Sequence, residues 1–214
     1  MERELRRAGA QLIAGVDEVG RGCLAGPVVA CAVIMPPDAR AIRGVDDSKA
    51  LPPHERRRLA TLILERAVAV GIGAASVAEI EALNIYHAST LAMRRALSRL
   101  RVAPDHILVD GRPIRTLGLP HTAVVDGDDK CFSIACASIV AKVTRDRLMA
   151  SLARRYPAYA WERNAGYGTP AHVSGLRAHG PCRHHRSRFV ASVLDASAPA
   201  QNCESLTDQQ LCSL

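Results

Sequence analysis

Along this chain of 214 residues the apolar positions fall into two patterns. Short runs of Val, Ile and Ala bounded by Gly and Pro read as strands, and apolar positions recurring three and four apart read as helices. Gln11 to Val16 is the first strand. Pro27 to Met35 is the second, entered through a Gly-rich turn, so the two predict a hairpin. Pro36-Pro37 stops it, and Pro52-Pro53 opens a helical pattern running from His54 to about Val68. A third strand follows over Val68 to Ala75. Val77 to Leu83 and Ile85 to Leu100 both have helical spacing, with Leu91, Ala92, Ala96 and Leu100 on an apolar side and Arg94, Arg95 and Arg99 on a solvated one. His106 to Asp110 is a short buried-type strand and His121 to Val125 the last one. Phe132 to Tyr156 predicts a long helix, and Pro170 to His179 a shorter one stopped by Gly180-Pro181.

Hairpin strands first, then strand-helix alternation, predict an α/β domain with a mixed sheet flanked by helices. With 48% apolar residues the chain supports one substantial core. One domain is expected over residues 1–196, and residues 197–214, rich in Ser, Gln and Pro-Ala, read as a flexible tail. No stretch has the length of a membrane span, and the charged N-terminal residues do not resemble a signal sequence. The seven cysteines form no C-x-x-C pair, which points to reduced thiols and a cytoplasmic protein. Cys182 with His184 and His185 lacks the second ligand pair that zinc needs. The formal charge of +7 favours a polyanionic partner, and the only lysines are Lys49, Lys130 and Lys142.

Candidate chemistry sits where strands end. Asp17 and Glu18 close the first strand, Asp110 closes another, and Asp126, Asp128 and Asp129 occupy a polar turn before a helix. Converging carboxylates repel one another unless a cation neutralises them, and hard oxygen ligands suit Mg²⁺ or Mn²⁺. Each acid alone is an ordinary turn or cap residue. Consecutive strand residues also point to opposite faces, so Asp17 and Glu18 both turn inward only if the Val19-Gly20 turn already ends the strand. Gly20-Arg21-Gly22-Cys23-Leu24-Ala25 fits the dinucleotide fingerprint, but that fingerprint requires a helix next, and Gly26-Pro27 leads into strand residues.

Several longer motifs occur together and in order. They are Gly15-Val16-Asp17-Glu18-Val19-Gly20-Arg21-Gly22 with Leu24-Ala25-Gly26-Pro27-Val28-Val29, then Asp47-Ser48-Lys49, Asn84-Ile85 with Ala92-Met93, and Val109-Asp110-Gly111. Gly127-Asp128, Ala137-Ser138-Ile139-Val140-Ala141-Lys142-Val143, Arg145-Asp146, Gly166-Tyr167-Gly168-Thr169 and His185-Arg186 follow. With these motifs the chain resembles bacterial ribonuclease HII from about Leu12 to Phe189. The resemblance implies an RNase H-like fold with a mixed five-stranded sheet, and a monomer acting as an endonuclease that cuts the RNA strand of RNA-DNA hybrids. It also implies incision at single ribonucleotides in duplex DNA, leaving 5′-phosphate and 3′-hydroxyl ends, as in ribonucleotide excision repair.

Carried over by the same resemblance, Asp17, Glu18, Asp110 and Asp128 are the catalytic, metal-binding carboxylates for two Mg²⁺ or Mn²⁺ ions, with Asp126 and Asp129 as alternatives in the acidic turn. Gly20, Arg21 and Gly22 sense 2′-hydroxyls at the RNA-DNA junction, and Tyr167 packs on the deoxyribose after it. Ser48, Lys49, Lys142 and Arg145 are candidate phosphate contacts. In the tail, Gln210-Leu211-Cys212-Ser213-Leu214 is similar to a short sliding-clamp-binding peptide but lacks its final aromatic residue. An inactive nucleic-acid-binding protein is the competing class, and the complete acid set disfavours it.

Overall fold

The computed structural model describes residues 1–39, 42–45 and 51–195. Ser48, Lys49 and the tail therefore lie outside the described residues. In chain order the elements are α1 (Glu2–Arg7), β1 (Ile13–Val19), β2 (Val28–Ile34), α2 (Pro53–Arg66), β3 (Ala69–Ala75) and α3 (Val77–Ser98). After them come β4 (His106–Asp110), β5 (Thr122–Val124), α4 (Gly127–Lys130), α5 (Phe132–Ala153), α6 (Trp161–Asn164), α7 (Pro170–His179) and α8 (Ser187–Asp195).

The five strands form one mixed sheet in the order β3-β2-β1-β4-β5. β1 and β2 make the expected antiparallel hairpin, and β4 and β5 extend the sheet in parallel with β1. All seven residues of β2 are buried because helices cover both faces. On one face Ala14, Val16, Ala30 and Ala32 pack with Ala88, Ala92, Met93 and Ala96 of α3. On the other, Cys31 and Val33 pack with Ala135, Cys136, Ile139 and Val140 of α5 and with Leu59 and Ile63 of α2. Gly15 lets α5 come this close, since a Cβ there would lie 2.1 Å from the Ser133 carbonyl carbon.

The two helical stretches expected on either side of Asn84 are both present, as the two halves of α3, and they meet at that residue, whose backbone is not helical. Asn84 adopts φ 67 and ψ 167, and its Oδ1 accepts from the amides of Tyr86 at 2.9 Å and His87 at 3.2 Å, which caps the second half of the helix. Such a backbone is costly for a residue other than glycine, and the side-chain cap offsets part of that cost.

One detail of the first strand corrects the sequence reading. β1 does not stop at the acidic pair but continues to Val19, with Glu18 opposite Ala30 and Val19 opposite Val29. Gly20 to Ala25 then leads directly into β2 with no intervening helix, as the Gly26-Pro27 argument required.

Candidate active site

The parallel strands β1, β4 and β5 all point their C-terminal ends to one edge, the usual place for a site in an open α/β sheet. Val16 pairs with Val109, so one further step of the same register sets Asp17 beside Asp110. β5 ends two residues before the acidic turn, and α4 then brings in Asp128. Asp17, Glu18, Asp110 and Asp128 accordingly border a single cleft of about 400 Å³, together with Ser138, Lys142, Arg56 and Tyr167. Of the three acids in the turn, Asp128 is buried at this cleft, whereas Asp126 is exposed and lies 3.8 Å from Lys130 Nζ.

Because β1 continues through the pair, Asp17 and Glu18 leave it on opposite faces. Asp17 turns toward α5, where the Ser138 hydroxyl donates to it, and its Oδ1 also accepts the Glu18 amide at 2.7 Å. Glu18 turns the other way and accepts from Arg21 Nη1 at 3.0 Å. Both reach the cleft because the cleft lies at the strand edge rather than over one face. Asp110 Oδ1 accepts the Gly127 amide at 2.7 Å, which ties the end of β4 to the first residue of α4.

Burial, reinforced by the charges of Glu18 and Asp110, pushes Asp17 up to about 8. Glu18 is raised as well, chiefly by burial, although its contact with Arg21 opposes the shift. Oxygen-only donors crowded to this degree form a set that a hard divalent cation would relieve. No group of three or more His, Cys, Asp or Glu side chains among the described residues is drawn together tightly enough to hold a metal ion as it stands. Glu18 has an oxygen turned to Arg21, and Asp110 one turned to the Gly127 amide. In type, as oxygen donors lining one cleft, the residues fit the ion.

The Gly20-Arg21-Gly22 turn is held from beneath by two arginines that are both 0% exposed. Arg186 donates through Nη2 to the carbonyls of Gly20 at 2.7 Å and Gly26 at 2.8 Å, and through Nη1 to that of Arg21 at 2.7 Å. Arg145 donates to the carbonyls of Pro27, Ala165 and Ala25 at 2.9, 2.7 and 3.1 Å. This corrects the expectation for Arg145. It braces backbone in the interior, with its nitrogens spent on carbonyls, and is not a phosphate contact. Gly20 has φ +92, and a Cβ there would lie 2.1 Å from Arg145 Nε, so both backbone and packing require glycine. At Gly22 a Cβ would meet no atom within 4 Å.

Tyr167, 40% exposed, borders the cleft with Lys142 Nζ 5.8 Å from its ring centre. Its carbonyl accepts from His172 Nδ1 at 2.9 Å. His172 Nε2 therefore has a free lone pair, which takes the Trp161 indole N–H and the His185 Nε2–H, both at 3.0 Å. His185 Nδ1 in turn accepts the Cys182 amide at 2.9 Å. Both rings are neutral in this arrangement, in keeping with burial lowering His172 and bringing His185 down to about 4. The Cys182 amide and the His185 ring are thus tied into this buried network.

Sequence reasoning missed Arg186, His172 and Arg56 as parts of the site. The signal for the first was present in the His185-Arg186 motif.

A model of the family described as ribonuclease HII matches residues 14–192, a span that contains every carboxylate of the cleft. The chain belongs to the ribonuclease HII family. A ribonuclease HII from Granulibacter bethesdensis is 58% identical over 189 residues, covering 86% of each chain. Among solved structures, the ribonuclease H2 of Pyrococcus horikoshii OT3 superposes with a TM-score of 0.73 at 25% identity, covering 86% of this chain and 98% of that one. Bst-RNase HIII in complex with Mn²⁺ shares the fold, with a TM-score of 0.66 at 20% identity over 89% of this chain and 71% of that one. The expected fold and enzyme class hold: the chain is a ribonuclease H, and enzymes of this family act on RNA-DNA hybrids and depend on divalent metal ions. Among the described residues, no helix is long and apolar enough to cross a membrane.

Proposed function

We propose that this enzyme incises the RNA strand of hybrids and also the phosphodiester bond at a lone ribonucleotide in duplex DNA, leaving 5′-phosphate and 3′-hydroxyl ends. One observation carries the catalytic part: Asp17, Glu18, Asp110 and Asp128 arrive from β1, β4 and α4 at one cleft that also holds a lysine and a half-exposed tyrosine. Divalent ions of the Mg²⁺ or Mn²⁺ kind, two of them with substrate, would be held by these four carboxylates and would supply a more acidic water and a counter-charge for the departing oxygen. Asp17 must give up its proton to serve in this way, and Ser138 fixes the orientation of its carboxylate. Lys142, at the cleft wall, offers a positive charge to the backbone phosphates.

Discrimination of RNA from DNA falls to Gly20-Arg21-Gly22 and Tyr167. The 2′-hydroxyl distinguishes the two sugars, and closely approached backbone groups can read it. Gly22 supports this role because the protein leaves open the space a side chain would fill, so the absence of a Cβ serves something outside the protein. Tyr167 presents its ring face to a sugar without the hydroxyl. In this reading the enzyme serves ribonucleotide removal from DNA. Cleavage of a labelled duplex carrying one ribonucleotide, with and without Mg²⁺, tests the reading; an enzyme that cuts only long RNA stretches would limit it to hybrids.

Ser48 and Lys49 remain proposed phosphate contacts, and the clamp-like peptide Gln210 to Leu214 a proposed docking segment. Both lie outside the described residues. Undiminished clamp binding after deletion of residues 205–214 would dismiss the peptide.

A further inference from the structure

A second groove, of about 370 Å³, opens from the catalytic cleft and shares Arg56, Lys142 and Tyr167 with it. It follows α5 away from the carboxylates. Ser138 and Ile139 face the cleft alone, Lys142 faces both, and Val143, Arg147 and Ala150 face the groove alone. α6 supplies the opposite wall with Arg163, and the start of α2 contributes Arg57.

The groove is strongly cationic. Arg57 and Arg147 are exposed and have no ion-pair partner among the described residues. Arg163 touches only its exposed neighbour Glu162, a pair worth little in water. Asp146 is already engaged between Lys142 at 2.7 Å and Arg56 at 4.0 Å, so it leaves the other arginines uncompensated. From Lys142 to Ala150 the helix rises about 12 Å at roughly 1.5 Å per residue. At about 3.4 Å per nucleotide along one strand, this spans three to four nucleotides.

We propose that this groove binds the phosphate backbone of DNA continuing on the 3′ side of the ribonucleotide, beyond the deoxyribose that stacks on Tyr167. The proposal rests on the junction-reading role given to Tyr167 above. It assigns Arg57, Arg147 and Arg163 to DNA and gives the enzyme a footprint that is longer on the DNA side of the junction.

The test uses the full chain with Mg²⁺ and duplexes carrying one ribonucleotide. Arg147→Glu/Arg163→Glu is compared with Arg94→Glu/Arg99→Glu, an equal charge change at the C-terminal end of α3 and its cap, where Arg94 lies beside the start of β4 at the far end of the sheet. For the groove variant the expected result is a KM raised about tenfold and a plot of log kcat/KM against log salt that is shallower by about 1 to 2. Trimming DNA on the 3′ side to one or two nucleotides should weaken the wild type and leave the groove variant indifferent. A groove variant with wild-type KM and salt slope, or a far-end variant with the same losses, would overturn the proposal. Sensitivity to trimming on the 5′ side instead would overturn the assignment to the DNA side. Failure of the underlying reading shows separately, as no effect of Tyr167→Ala on cleavage at a lone ribonucleotide; the groove is then judged by its salt slope on a uniform RNA-DNA hybrid.

Discussion

Arg186 Nη2 donates to the Gly20 carbonyl at 2.7 Å, joining the segment before α8 to the turn after β1 across 166 positions of sequence. Burial lowers the Arg186 guanidinium to about 10, a cost accepted because its nitrogens hold the carbonyls of Gly20, Arg21 and Gly26. Arg186→Met leaves these acceptors unpaired and should destabilise the fold by roughly 3 kcal/mol or more. Arg186→Lys keeps the charge but loses the fork. It should fold with a reduced Tm and lose more activity at a lone ribonucleotide than on a long RNA stretch, as paired kcat/KM measurements would show.

Asp17 makes stability depend on pH in a direction unusual for a carboxylate. Its value of about 8 in the folded protein, against 3.8 as the ordinary value, means the folded state holds a proton the unfolded state has released. Its contribution is therefore present below about pH 4 and lost as pH rises toward about 8. Asp17→Asn removes that loss. In metal-free buffer the variant's Tm should gain on the wild type between pH 4 and 8, reaching a difference of at least about 2 °C. Added Mg²⁺ should stabilise the wild type increasingly over the same range, because it competes with that proton. A Tm difference independent of pH would show that Asp17 is ionised in the metal-free fold.

The two glycines of the turn should separate structure from recognition. Gly20→Ala meets Arg145 and carries a positive φ, so it should lower stability by about 1–3 kcal/mol and activity on every substrate. Gly22→Ala meets nothing within 4 Å and should leave Tm within about 1 °C, while selectively impairing cleavage at a lone ribonucleotide. Calorimetry paired with cleavage of the two substrate types checks both.

Most of the sheet was legible because its strands are continuous apolar runs with Gly and Pro at their ends, and β4 and α7 were placed at the observed residues. The short helices α4 and α6 were not, since a single turn carries no periodicity, and each is preceded by a non-glycine residue in a left-handed conformation, Asp126 and Ala160. The carboxylates were legible as strand-end acids. The interior role of Arg145 was hidden, because an arginine on a helix reads as solvated until the carbonyls that surround it are known. The opposed directions of Asp17 and Glu18 followed from strand geometry, but the edge-on position of the cleft, which reunites them, required the fold.

The claim that four carboxylates perform the cleavage is tested most directly with Asp110→Asn, whose side chain can still accept the Gly127 amide and so preserves the link to α4. Single-turnover cleavage of a duplex carrying one ribonucleotide, at saturating Mg²⁺, should fall at least about a thousandfold, a loss near 4 kcal/mol of transition-state stabilisation. Binding of the same duplex should persist. Turnover within a few-fold of the wild type would contradict the assignment of the catalytic cleft.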